Sequence, residues 1–185
     1  VNKAHVNALT KQGFLSNEEC KTLQTSLSNL DIEFEKDPNF GLEDDEDIHS
    51  AIERLVTESC GDLGKKMHMG KSRNDQVITD TRMYTKDVIL SILDEFYLLI
   101  DVLIDLADTH IDVVFPGMTH FQPAQPILFS HHMLAYAHKF HRDVHRFYIA
   151  YKTADVCPLG SGALAGNNYK LDRQSIADEL GFSKI

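Results

Sequence analysis

A chain of 185 residues with 43% hydrophobic and 25% charged side chains has the composition of a globular domain able to bury a core, not of a disordered segment. Its formal net charge of −10, from 18 basic and 28 acidic side chains, argues against a nucleic-acid binder, which needs a basic face. Three well-separated cysteines, Cys20, Cys60 and Cys157, form no C-x-x-C pair, which argues against a disulfide framework or a zinc site and for a reducing, cytoplasmic setting.

The chain opens at Val1 without the apolar run of a signal peptide, and the missing Met suggests that something upstream was removed. The most apolar stretch, Phe96 to Ala107, is interrupted by Asp101 and Asp105, whereas a membrane span needs ~20 apolar residues. Ser16 to Glu19 reads as a capping box opening a helix to about Lys36, broken by Asp37-Pro38-Asn39. A short acidic run, Glu43 to Asp47, leads into a second helix with Ile48, Ile52, Leu55 and Val56 on one face. Gly61 and Gly64 end it, and residues 61–72 read as a loop.

Asn74 to His110 holds neither Pro nor Gly, and Val77, Met83, Val88, Ile92, Phe96, Leu99, Leu103 and Leu106 recur at helical spacing. One long helix is expected, apolar on more than one side toward its end, so that it needs a bundle or partner subunits to cover it. Pro116-Gly117 marks a turn, and Pro126 is expected in the first turn of a helix reaching about Lys152. A glycine-rich loop, Pro158 to Gly166, precedes a short helix from Asp172 to Leu180 that closes at Gly181. The fold class expected is therefore all-α, built from long helices.

Two familiar patterns fail on inspection. Gly64 to Ser72 ends like a phosphate-binding P-loop but has five residues between its glycines, where the motif needs four, and no preceding strand. Gly160 to Ala165 fits the spacing of a dinucleotide fingerprint, yet no βαβ unit frames it. His138, His141 and His145 fall at i, i+3 and i+7 of one helix, but with Lys139 and Arg142 beside them a polar helix face is the better reading than a metal site.

Three segments carry chemistry. In Lys71-Ser72-Arg73-Asn74-Asp75-Gln76, the Arg73 guanidinium suits a carboxylate, and Asn74 lies where a helix start favours anions; the plain alternative is a polar N-cap. In residues 116–126, three prolines stiffen a loop that can hold Thr119, His120 and Gln122 in set directions, and a histidine suits proton transfer near neutral pH. The plain alternative there is a histidine bonded within a turn. The small residues of 158–166 let backbone amides approach a ligand, or else allow a tight crossing of helices.

Taken together with Glu46-Asp47-Ile48-His49 and Leu63-Gly64-Lys65-Lys66, these segments resemble the argininosuccinate lyase family of the fumarase and aspartase superfamily. Order and spacing agree from about Glu46 to Phe182, while the first 45 residues match loosely. Members often carry Thr or Ala with Gly-Arg before the Ser-Arg-Asn run; here the residues are Met69-Gly70-Lys71, which keeps the charge. The resemblance implies that Arg73 and Asn74 hold a substrate carboxylate, Thr119 bonds the succinyl part, His49 and Gln122 line the site, and His120 does acid/base work.

It further implies β-elimination of argininosuccinate to arginine and fumarate. A proton leaves the carbon beside a carboxylate, polar groups stabilise the carbanion, and an acid protonates the departing nitrogen. No metal or organic cofactor is implied. A homotetramer with a central helical bundle and sites drawn from three subunits is. Residues 1–75 would belong to an N-terminal helical domain and 76–185 to the central bundle. The superfamily's G-S-S-x-M-P-x-K-x-N loop, with its catalytic Ser, does not occur in the 185 residues, nor does an N-terminal segment carrying another substrate-contacting Ser, so a piece cut at both ends and inactive alone is expected. Two alternatives stand: another superfamily enzyme such as adenylosuccinate lyase or aspartase, disfavoured by the Ser-Arg-Asn-Asp-Gln run, or a structural protein like a δ-crystallin.

Overall fold

The computed structural model describes residues 1–42 and 45–185; Glu43 and Asp44, the start of the acidic run, lie outside the described residues. In chain order it has α1 (Asn2–Lys11), α2 (Asn17–Lys36), α3 (Ile48–Cys60), α4 (Asp62–Lys65), a 3₁₀ turn (Lys66–His68), α5 (Arg73–Thr109), β1 (Val114–Thr119), β2 (Gln122–Leu128), α6 (Phe129–Ala154) and α7 (Arg173–Glu179). The long-helix, all-α class expected from the sequence is the fold observed. Its only sheet among the described residues is a two-stranded antiparallel hairpin.

The helix ends follow from side-chain chemistry. Ser16 caps α2 in a reciprocal box with Glu19, each side chain satisfying the other residue's backbone amide. Asp47 caps α3 by accepting the Ser50 amide at 2.7 Å. Asp172 does the same for α7 through Ser175. Ser72 stands before α5, where its hydroxyl accepts the Asn74 amide and its own amide donates to Asp75.

Three local expectations are corrected. Residues 61–72 are not a featureless loop, because α4 and the 3₁₀ turn occupy 62–68. Pro116-Gly117 is not a turn but part of β1, and the reversal comes at His120-Phe121. Pro126 is not in a helix; it lies in β2 opposite Pro116, and α6 begins at Phe129. Both strands are edges, so an imino nitrogen there forfeits no required ladder bond. Gly117 sits where the register shifts between Pro116 and Met118, and a Cβ on it would meet the Gln125 carbonyl oxygen at 2.6 Å.

The described residues form two compact units, Val1–Met83 with Asp155–Ile185, and Tyr84–Ala154. In the first, Val6 and Leu9 of α1, Leu23 and Leu27 of α2, Val56 of α3 and Met67 make one core. Ala4, Ala8, Cys157, Leu159, Ile176 and Phe182 make another, which packs α1 on α7 and on the start of the glycine-rich loop. Burying each large aliphatic side chain contributes about 1.5–3 kcal/mol, so this unit is well supported. In the second, Ile100 of α5 packs with Ala137 and Val144 of α6, flanked by Phe96 and Phe140. Much apolar surface of α5 stays exposed there, including Tyr97, Leu98 and Val102.

Candidate active site

In the first unit the start of α5 gathers His49, Lys71, Arg73 and Gln76. The Arg73 guanidinium is held by its own chain on several sides. Its Nε lies 3.2 Å from an Asp47 oxygen, and its Nη1 donates to Glu53 at 3.2 Å and to Gln76 at 2.9 Å. Nη2 donates to the Ser50 hydroxyl at 3.2 Å. Asp47 thus caps α3 and orients Arg73 at once. A substrate carboxylate reaching Arg73 has to share it with Asp47 and Glu53. Asn74, one residue on, is exposed.

His49 faces Asp80, with Nε2 3.6 Å from Oδ2. Burial lowers the His49 pKa, with Arg73 adding to the effect against Asp80, so the contact at neutral pH is polar rather than ionic. Burial also raises the Asp80 carboxyl. Both side a cleft of about 450 Å³ whose other walls include Gln76, Ile48, Ile52 and Phe34. Beneath it, Asn2 Oδ1 accepts from Lys71 Nζ at 2.7 Å and from Gln76 Nε2 at 3.1 Å. Lys71 is buried, and desolvation brings its pKa down to about 8.

The glycine-rich segment 158–166 belongs to this same region. Gly160 and Gly162 donate their amides to Asp75, and Asn167 Nδ2 donates to the Gly70 carbonyl at 2.7 Å. The amides that the sequence suggests for a ligand are occupied by a carboxylate of the chain itself. Gly162, with φ at +66°, has a backbone that L-residues rarely adopt, and a Cβ there would meet the Gly166 carbonyl oxygen at 2.9 Å.

In the second unit the hairpin brings Thr119, His120 and Gln122 together at its tip. Thr119 and Gln122 are register partners, and the two-residue turn between them has φ of 47° at His120 and 61° at Phe121. Two positive φ values define a primed hairpin turn, usually filled by Asn-Gly. A histidine and a phenylalanine there carry about 1–2 kcal/mol of strain each. The side chains of Thr119, His120 and Gln122 bond no described residue, and all three residues are exposed. His138, His141 and His145 are likewise exposed along α6.

Comparison with known proteins decides the family. A family model described as lyase matches residues 1–185. The chain belongs to this lyase family. Among its relatives, argininosuccinate lyase of Thermoanaerobacter sp. (strain X514) is 45% identical over 183 residues, 98% of this chain and 41% of the relative. Argininosuccinate lyase of Ruminiclostridium cellulolyticum is 46% identical over 184 residues, 98% of this chain and 40% of the relative. This lyase-family chain therefore spans about two fifths of the length of the curated relatives it matches. Among solved structures, an EDDS lyase variant with bound fumarate superposes with a TM-score of 0.90 at 29% identity, covering all of this chain and 36% of that one. β-Carboxy-cis,cis-muconate cycloisomerase from Acinetobacter calcoaceticus shares the fold, with a TM-score of 0.78 at 18% identity over all of this chain and 45% of that one.

Site residues that reading by spacing missed are Asn2, Lys71, Asp75 and Asp80. Asp75 left a signal in the S-x-x-D spacing from Ser72, and Lys71 one in the charge it keeps before the Ser-Arg-Asn run. The others enter through packing of α1 and through residues facing a cleft, which no local pattern encodes.

Proposed function

We propose that this chain supplies the carboxylate-binding and proton-transfer portion of an argininosuccinate lyase, which cleaves argininosuccinate to arginine and fumarate. The observation that carries the reading is the 45% identity to proteins of that name, spread over 98% of the chain. The geometry supports it. Arg73 and Asn74 stand at a helix start, where partial positive charge favours a carboxylate. His49 lines the adjoining cleft. Thr119, His120 and Gln122 are presented on a tight turn whose strain is characteristic of functional positions.

The chemistry is β-elimination. Removal of a proton beside a carboxylate places charge on that carboxylate, and Arg73, Asn74 and Thr119 are the groups assigned to stabilise it. His120 moves a proton, directly or by activating a partner, a role worth about 10²–10⁴ in rate. Residues 1–75 are assigned to an N-terminal domain of the complete enzyme and 76–185 to its central bundle. In the proposed homotetramer each site draws on three subunits, so the two groups of residues need not come from one copy. The exposed Tyr97, Leu98 and Val102 of α5 suit such an interface. A cytoplasmic setting fits the free thiols of Cys20, Cys60 and Cys157.

The test is fumarate release from argininosuccinate, followed by ultraviolet absorbance with the complete polypeptide that carries this sequence. Turnover is expected. An assembled, folded polypeptide that releases no fumarate overturns the reading and favours a structural role of the δ-crystallin kind. The 185 residues alone, which lack the Ser-containing loop, are expected to be inactive.

A further inference from the structure

Asp75 has no role in the function proposed above, yet it is among the most heavily bonded groups in the first unit. Its residue is 4% exposed. Oδ1 accepts the Ser72 amide at 2.9 Å at the start of α5. Oδ2 accepts the Gly160 amide at 3.1 Å and the Gly162 amide at 2.7 Å, across separations of 85 and 87 residues. The contact with Ser72 uses only the first oxygen; the second is given wholly to the distant loop.

We propose that Asp75 is a positioning residue that locks the 158–166 segment onto the start of α5 and thereby fixes Arg73 and Asn74 for a substrate carboxylate. The proposal rests on the carboxylate-binding role assigned to those two residues. Its physical basis is a count of donors. All three partners of Asp75 are backbone N–H groups, so both oxygens must accept. An asparagine offers one accepting oxygen and one donating nitrogen, and either orientation sets a donor against a donor. Asp75→Asn, nearly identical in shape, therefore releases either Ser72 or the glycine loop. Arg73 and Asn74 lie between Ser72 and Asp75 and shift with them. A displacement of about 1 Å at a binding group costs up to a hundredfold.

The experiment uses the complete polypeptide and reads hydrogen exchange of the 158–166 peptide together with KM and kcat for argininosuccinate. Asp75→Asn is expected to speed exchange of that peptide and to raise KM about tenfold, with kcat changed less. In an Arg73→Lys background the same substitution is expected to raise KM less than about twofold, because it acts through Arg73. Unchanged exchange with KM within about twofold of wild type overturns the proposal. An equal KM factor in both backgrounds also overturns it, since a general loss of structure does not depend on Arg73. If Asp75→Asn does not fold, Asp75→Glu, which keeps the charge and moves the carboxylate by one methylene, carries the same comparison. Wild-type protein that releases no fumarate overturns the functional reading and the substrate half of this proposal, and exchange of 158–166 then decides the lock itself.

Discussion

The start of α5 and the tip of the β1–β2 hairpin hold their polar residues in opposite ways. At the start of α5, Arg73 is tied to Asp47, Glu53, Ser50 and Gln76, and Asp75 to three amides. At the hairpin tip, the side chains of Thr119, His120 and Gln122 bond no described residue, and only backbone geometry directs them. The difference teaches where precision comes from. The side chains at the start of α5 are fixed by partners over a packed core, whereas those at the hairpin tip are aimed by a tight turn alone.

The contrast implies that the first region depends on the core beneath it. Leu23 is fully buried among Leu9, Leu27 and Val56. Leu23→Ala is expected to lower unfolding stability by about 2–5 kcal/mol, through lost transfer energy and a residual cavity. Denaturant melts of wild type and variant check this. A loss under about 1 kcal/mol would mean that the core is not what supports the Arg73 segment.

Acid should separate the regions next. His5 is fully buried, and its Nε2 donates to the Met69 carbonyl at 2.8 Å, just before Lys71, while Nδ1 has no partner among the described residues. Burial, reinforced by Lys71, lowers its pKa from 6.5 to about 4. The unfolded chain therefore binds a proton that the folded chain does not between these values. His5 contributes stability that is complete above pH 6.5 and is lost as pH falls toward 4, on the order of 3 kcal/mol in all. Melts across that window, compared with His5→Gln, should show the steeper acid loss in wild type. Parallel curves would rule the mechanism out.

The smallest effect belongs to the tip. Phe121 is 97% exposed at φ of 61°, so Phe121→Gly relieves strain and forfeits almost no packing. A gain of about 1 kcal/mol is expected, partly offset by the added freedom of glycine in the unfolded chain. A clear loss in thermal melts would show that the turn is held by contacts and not by its backbone.

How far the sequence reveals this arrangement varies with the range of the forces involved. α2, α3, α5 and α7 are legible because their caps and apolar periods are local: Ser16 with Glu19, Asp47, the unbroken run from Asn74, and Asp172. α1 is not, because no side chain caps its start and its buried face mixes Ala4, Ala8 and Leu9 with Asn2 and His5. The hairpin is hidden because Pro116 and Pro126 argue against strands and because His120-Phe121 lacks the glycine or asparagine that marks a primed turn. The site residues are recognisable as types, but the link from Asp75 to Gly160 and Gly162 spans 85 and 87 residues and leaves no trace in spacing.

The central claim is a division of labour, in which the start of α5 binds substrate and the hairpin tip moves the proton. The most direct test measures KM and kcat for argininosuccinate with Arg73→Lys and His120→Asn side by side in the complete polypeptide. We expect Arg73→Lys to raise KM about tenfold or more with a smaller fall in kcat, since a bidentate fork becomes a point charge that still offsets part of the developing charge. His120→Asn should lower kcat about 10²–10⁴-fold with KM little changed. The same pattern in both variants, or loss of folding with His120→Asn, would contradict the account.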